Sequence, residues 1–183
     1  MNISEHNIIF VFDLDNTLVK TNKANNESYK AAIRIVTGMD CDFKPQKRFT
    51  RSDLKNCFPI LSEDYYSAIV VEKENLFGNF IDKTRLNRSL YAILKALHDN
   101  GNKTILLTNS HKKRAMQLCK HYGLNQYFSE MYFYEDYSHN KYDFLIEKGY
   151  KTDSIVFFEN EKRSVKEAIK CGLNKSNIIK IKF

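Results

Sequence analysis

The chain has 183 residues, 43% of them apolar and 28% charged, with only two prolines and six glycines. That composition suits one compact domain or a core with a small insert, and it excludes wholesale disorder. The net charge of +7 fits an anionic partner or a lysine-rich solvated surface, but Lys44/Lys47/Arg48/Arg51 and Lys112/Lys113/Arg114 are short clusters, without the long basic stripe and interleaved aromatics of a nucleic-acid binder.

Met1–Asn7 is polar, and the apolar run Ile8–Phe12 stops at Asp13, too short for the core of a signal peptide. No stretch approaches the ~20 apolar residues that cross a bilayer. A soluble cytoplasmic protein with no membrane partner is the expectation. Cys41, Cys57, Cys119 and Cys171 are scattered, with no CxxC pair; they read as reduced thiols.

Ile8–Phe12 has the length and the β-branched and aromatic content of a strand buried on both faces. From Lys20 to Asp82 no convincing strand follows. Helical stretches are expected instead at Glu27–Thr37, ending at Gly38, and at Glu63–Phe77, ending at Gly78. Leu86, Leu90, Ile93, Leu94 and Leu97 then form the apolar stripe of a helix that stops at Asn100-Gly101. Lys103–Thr108 is a second strand, and Ala115, Leu118, Cys119 and Tyr122 mark a helix ending at Gly123. Met131–Tyr134 is a weaker strand, followed by a helix from Lys141 to Gly149. Ser154–Phe158 is a strong strand, Val165, Ala168 and Ile169 lie on a helix ending at Gly172, and Asn177–Phe183 alternates like an edge strand. Glycine after a last helical turn suits a left-handed C-cap. Alternation of this kind predicts an α/β fold, a Rossmann-like doubly wound parallel sheet with helices on both faces. Residues 1–19 and 83–183 would form the core, with 20–82 as an inserted helical cap.

The strongest chemical signal is Asp13-Leu14-Asp15-Asn16-Thr17-Leu18-Val19. In an open parallel sheet the site forms beyond the carboxyl ends of the strands. Asp13 sits where the first strand stops, and Asp15 lies on the turn leaving it. Two acids so placed can share a divalent cation and divide the labour, one attacking phosphorus and the other moving protons. The plain alternative is a solvated turn.

This segment resembles the first motif of the haloacid dehalogenase superfamily, and three further motifs appear in order. Ile105-Leu106-Leu107-Thr108-Asn109-Ser110 resembles the second. Lys141 resembles the lysine of the third, although Tyr142 stands where the family usually has proline. Ile155-Val156-Phe157-Phe158-Glu159-Asn160, followed by Ser164, resembles the fourth, usually Gly-Asp with a later Asp. The resemblance implies that Asp13 is nucleophile and magnesium ligand, and that Asp15 is general acid/base and offers its backbone carbonyl to the metal. Thr108 and Asn109 would hold phosphoryl oxygens, and Lys141 would offset negative charge. Asn160 stands at the metal aspartate's position, with Glu159 and Glu161 as further acidic candidates. Magnesium is the implied cofactor and a small phosphorylated metabolite, a nucleotide or sugar phosphate, the implied substrate. Arg34, Lys44, Arg48 and Arg51 are candidate cap contacts. Asn160 and Ser164 leave open a weakened relative that binds phosphoesters or a protein; a phosphotransferase and a nucleic-acid end phosphatase are the remaining alternatives.

Overall fold

A computed structural model describes residues 8–41 and 47–183; Lys44 lies outside them. In chain order the elements are β1 (Ile9–Phe12), β2 (Val19–Lys20), α1 (Asn22–Thr37), α2 (Arg51–Cys57), α3 (Glu63–Leu76), β3 (Arg85–Leu86), α4 (Arg88–Asp99), β4 (Lys103–Leu107), α5 (Lys112–His121), β5 (Glu130–Tyr132), α6 (Lys141–Glu147), β6 (Ile155–Glu159), α7 (Lys162–Lys170) and β7 (Ile178–Lys180). They form two compact units, Met1–Val19 with Leu86–Phe183 and Lys20–Arg85. β2 and β3 pair as a two-stranded ribbon where the chain passes from one unit to the other and back.

The first unit is a five-stranded sheet in the order β5-β4-β1-β6-β7, with every pair parallel. Its strands are apolar almost throughout because both faces are covered. On one face Val11, Ile105, Leu107, Ile155 and Phe157 meet Tyr142, Phe144 and Leu145 of α6 and Ala168 of α7. Side chains alternate along a strand, so Phe12 and Phe158 turn to the other face. There their rings stack at 4.4 Å, and Phe128 meets Phe12 edge-on at 6.1 Å. Gly101 (φ 75) and Gly149 (φ 89) follow α4 and α6 in the left-handed region, the conformation that ends a helix at little steric cost for glycine.

The second unit departs from the sequence reading in three places. Helix α1 begins at Asn22, five residues before Glu27, because its first turns bury Asn25, Asn26 and Ser28 alongside Ala24, and polar residues hide the apolar stripe. Those amides are used: Asn26 donates to Lys47 O (2.7 Å) and accepts from Phe49 N–H (2.9 Å), while Asn25 donates to Phe49 O (2.9 Å). Helix α2 escapes a periodicity search because Leu54 is its one buried residue; Thr50 and Asp53 form a capping box that starts it. Helix α3 ends at Leu76, one residue before the expected Phe77, but the chain does not leave the helical path there. The chain tightens at Phe77 into a 3-10 stretch through Lys83, kinked at Phe80, since Gly78 is not among the residues at positive φ that would turn the chain away.

Ile105 is fully buried on a strand flanked on both sides. Ile105→Ala is expected to cost about 2–5 kcal/mol, read as a lower urea midpoint with an unchanged slope. A loss below about 1 kcal/mol would contradict this packing.

Candidate active site

The order β5-β4-β1-β6-β7 makes β1 the strand at which the connections change direction, and such a switch point leaves a crevice at the carboxyl edge. Asp13 is the first residue past β1, and its N–H bonds Phe158 O at 3.1 Å, continuing the β1–β6 pairing. The chain then turns tightly. Val19 N–H bonds Leu14 O (3.0 Å) and Asn16 N–H bonds Val19 O (2.7 Å). The turn needs a left-handed residue at Asn16 (φ 58), and asparagine tolerates that region better than most side chains. Thr17 is fully buried beneath it.

Three groups of side chains converge here. In the first, Lys141 Nζ lies 3.0 Å from Asp13 Oδ1 and 3.0 Å from Glu159 Oε2; all three residues are nearly inaccessible to solvent. Lys141 is placed by the start of α6, whose cap is Asn140, accepting from Tyr142 N–H at 2.8 Å. The rings of Tyr142 and Phe157 also lie within 5.5 Å and 5.3 Å of its ammonium, close enough for cation–π attraction. Burial alone would lower the lysine's pKa, but the charges of Asp13 and Glu159 raise it well above its ordinary value. Lys141 is therefore an ammonium. Burial also lifts Glu159, yet Lys141 and backbone N–H donors outweigh it and leave Glu159 below its ordinary value. Asp13 goes the other way. Burial and the charge of Glu159 push it up to about 7 against the pull of Lys141.

In the second group, Thr17 Oγ1 lies 2.9 Å from Asp13 Oδ2 and 3.0 Å from Asn160 Oδ1. One hydroxyl proton serves two acceptors, so three oxygens crowd together. In the third, Asp15 Oδ2 accepts from Arg114 Nη2 at 2.6 Å and from the Ser110 hydroxyl.

The sequence-predicted residues are placed as follows. Asp13, Lys141 and Glu159 form one ion cluster, and Asn160 meets Asp13 across Thr17. Glu159 has both oxygens engaged, Oε2 by Lys141 and Tyr142 and Oε1 by the N–H groups of Asn160 (2.8 Å) and Glu161 (3.0 Å). Glu161 itself is exposed, as is Lys148. Thr108 is buried at the end of β4, with its N–H on Tyr132 O (3.0 Å) and its hydroxyl accepting from Ser110 N–H (3.2 Å). Asn109 is exposed beside it. Thr108 does not cap α5, since Lys112 N–H there bonds the Glu135 carboxylate at 3.0 Å. In the second unit, Arg34 is exposed beside Asp40 (3.8 Å), Arg48 donates to Thr21 Oγ1 (2.9 Å) and Arg51 is exposed.

Sequence reasoning missed Thr17, Ser110, Arg114 and Tyr137. Arg114 stands beside Lys112 and Lys113 in a short basic cluster, yet it is 5% exposed. Tyr137 donates to Thr108 O and Asn109 Oδ1, both at 2.8 Å, and steadies the loop carrying them; no spacing announced it.

The family model for haloacid dehalogenase-like hydrolases matches residues 10–177, from within β1 to the start of β7. The chain belongs to that family. No curated protein matches it. Among solved structures, a haloacid dehalogenase-like hydrolase from Streptococcus pneumoniae is 17% identical, with 92% of this chain and 83% of that one covered at a TM-score of 0.73. CbbY from Rhodobacter sphaeroides in complex with phosphate is 14% identical, covering 91% and 83%, at 0.75. A mutant CbbY with xylulose-(1,5)-bisphosphate is 13% identical, covering 91% and 83%, at 0.76. At such identities the likeness is one of fold, the parallel Rossmann-like α/β architecture.

The raised pKa of Asp13 has a consequence for stability. Its ordinary value is 3.8 and its value in the fold about 7, so the native protein holds a proton that the unfolded chain releases. The contribution is fully present below about pH 4 and is lost as pH rises through about 7. In metal-free protein, Asp13→Asn is expected to raise the melting temperature, by more at pH 8 than at pH 5. A gap that stays constant or shrinks over that range would overturn this account of Asp13.

Proposed function

We propose that the protein hydrolyses a small phosphorylated metabolite, a nucleotide or sugar phosphate, through an aspartyl-phosphate on Asp13. The observation that carries this reading is the buried ammonium of Lys141 touching an acid at the switch point of the sheet. A buried lysine is costly unless its charge is used or matched. An ammonium fixed against the attacking carboxylate also attracts the incoming phosphate dianion. Family membership and the fold shared with phosphate-bound CbbY accord with it.

In the first step an oxygen of Asp13 attacks phosphorus, the bond from phosphorus to the leaving oxygen breaks, and Asp15 gives that oxygen a proton. In the second, Asp15 takes a proton from water, which attacks phosphorus and returns Asp13 as a carboxylate with release of inorganic phosphate. Thr108 and the Asn109 N–H hold phosphoryl oxygens. Glu159 keeps Lys141 in place, and Lys20–Arg85 is the family's helical cap.

Among the described residues there is no group of three or more His, Cys, Asp or Glu that could hold a metal ion. The donors present are nonetheless all oxygen, which suits magnesium. Asp13 Oδ2 and Asn160 Oδ1 converge on one hydroxyl, and the Asp15 backbone carbonyl is the third donor. The charge within the cluster points the same way. With Asp13 and Glu159 ionised and Asp15 holding the proton it donates, Lys141 and Arg114 already match the two anions, and the phosphate dianion enters uncompensated. Bound magnesium would supply the missing positive charge and polarise the phosphoryl oxygens.

Phosphate release over nucleotides, sugar phosphates and phosphorylated oligonucleotides, with and without magnesium, tests the reading. Turnover of at least one small phosphoester that needs magnesium and disappears in Asp13→Asn is expected. Turnover that survives Asp13→Asn removes the nucleophile. Magnesium-independent binding with no turnover across the panel favours the weakened binder that Asn160 and Ser164 suggest.

Asn160→Asp restores a carboxylate beside Asp13 and is expected to tighten magnesium at least about tenfold. A magnesium titration of the melting temperature reads this without any substrate, and unchanged affinity takes Asn160 out of the metal shell.

A further inference from the structure

The reaction just described uses Lys141 and leaves a second buried cation beside its acids without a task. Arg114 lies on α5, four residues after Ser110, with 6% of its side chain exposed. Its Nη2 reaches both Asp15 Oδ2 (2.6 Å) and the Ser110 hydroxyl, and that hydroxyl bonds the same Oδ2. Two donors four residues apart thus converge on a single oxygen of one carboxylate. The Asp15 backbone is fixed as well, by its bridge to Val19 and by the turn bonds around Asn16.

Two plain explanations account poorly for this arrangement. A solvated surface arginine would not be enclosed, and the neighbouring Lys112 and Lys113, which are exposed, show what that looks like. A pair kept for stability is a weak reason for burial, since apolar groups of similar volume commonly stabilise as well or better. What a bonded pair supplies better than an apolar contact is direction. An arginine is charged at all working pH values and presents its donors in a rigid plane. A carboxylate gripped through Oδ2 has its second oxygen turned one way, whereas an aspartate on an exposed turn samples several rotamers.

We infer that Arg114, with Ser110, is a positioning residue for proton transfer by Asp15. It fixes the carboxyl group so that one oxygen faces the departing oxygen of the substrate. The inference rests on the reading of Asp15 as general acid. It adds no bond to the reaction: the proton still passes from Asp15 to the leaving oxygen as the phosphorus–oxygen bond breaks, and the electron pair of that bond stays on the oxygen.

A purely structural arginine and a positioning one differ in how their loss depends on the leaving group. A para-nitrophenolate departs readily as an anion, whereas phenolate is more basic and gains more from a proton. The measurement is kcat/KM for phenyl phosphate and para-nitrophenyl phosphate, since kcat/KM covers steps only as far as release of the phenol. Arg114→Gln is expected to lose at least about fivefold more on phenyl phosphate than on the nitro compound. Arg114→Lys, which keeps a charge, should lie between it and the wild type. Ser110→Ala should shift the ratio in the same direction, and melting temperatures show which variants are folded. Equal losses on the two substrates in folded Arg114→Lys and Ser110→Ala overturn the inference. Asp15→Asn separates the two layers. If it too shows no leaving-group dependence, Asp15 is not the acid and the underlying reading fails; if it shows a strong one while the Arg114 and Ser110 variants do not, the positioning role alone fails.

Discussion

The site depends on one enclosed cation. Lys141 stands between Asp13 and Glu159 at 3.0 Å from each, and removing the ionised Glu159 carboxylate would leave its buried charge poorly matched, a loss of several kcal/mol in comparable cases. Much of the surrounding structure can be read as support for that contact. Strands β1 and β6 are neighbours in register, which brings the residue after β1 and the last residue of β6 to one edge. Helix α6 opens on the lysine itself, with Asn140 capping it. Tyr142 and Phe157 wall the ammonium with ring faces, excluding the water that would screen it. The cluster also divides its acids. Glu159, held by the lysine and by two backbone N–H groups, stays ionised, while Asp13, desolvated and beside the charge of Glu159, holds its proton more tightly than usual. Two carboxylates a few ångströms apart are thus set to different tasks by their surroundings.

The sheet was largely legible in the sequence, because fully buried parallel strands are written as apolar runs. All five appear within a residue or two of Ile8–Phe12, Lys103–Thr108, Met131–Tyr134, Ser154–Phe158 and the start of Asn177–Phe183. The second unit was harder to read. Asn25 and Asn26 sit where an apolar stripe would be sought, and their burial makes sense only once the backbone of 47–49 lies against them. Helix α2 announces itself through Thr50 and Asp53, a local hydrogen-bond device that a search for periodicity passes over.

The positions of the acids could be read from sequence, and Lys141 through its likeness to the third motif, but Arg114 could not. Spacing along one strand and turn places Asp13 and Asp15, since two residues there are never far apart. Arg114 and Lys141 reach those acids across 99 and 128 residues of chain, and no periodicity along the chain ties either to its acid. The sheet order, which brings the ends of β1, β4 and β6 together, joins them.

The departures from the family's usual motifs make sense as a set. Tyr142 stands where proline is usual, Ser164 where the later aspartate is usual, and Glu159 where glycine is usual. In the fold these three meet: the Tyr142 hydroxyl lies 2.6 Å from Ser164 Oγ and 3.3 Å from Glu159 Oε2. Here the carboxylate beside the lysine comes from the end of β6, from which it reaches Lys141 directly, and the first turn of α7 supplies the Ser164 hydroxyl as partner to that of Tyr142. A proline at position 142 could not supply that hydroxyl, so the tyrosine and the serine belong together. Asn160 fits the same rearrangement. With Glu159 already a permanent anion beside the lysine, an aspartate at 160 would crowd one more negative charge against Asp13, whose acidity is already weakened by burial and by Glu159. A neutral amide keeps an oxygen in that place at lower electrostatic cost to Asp13.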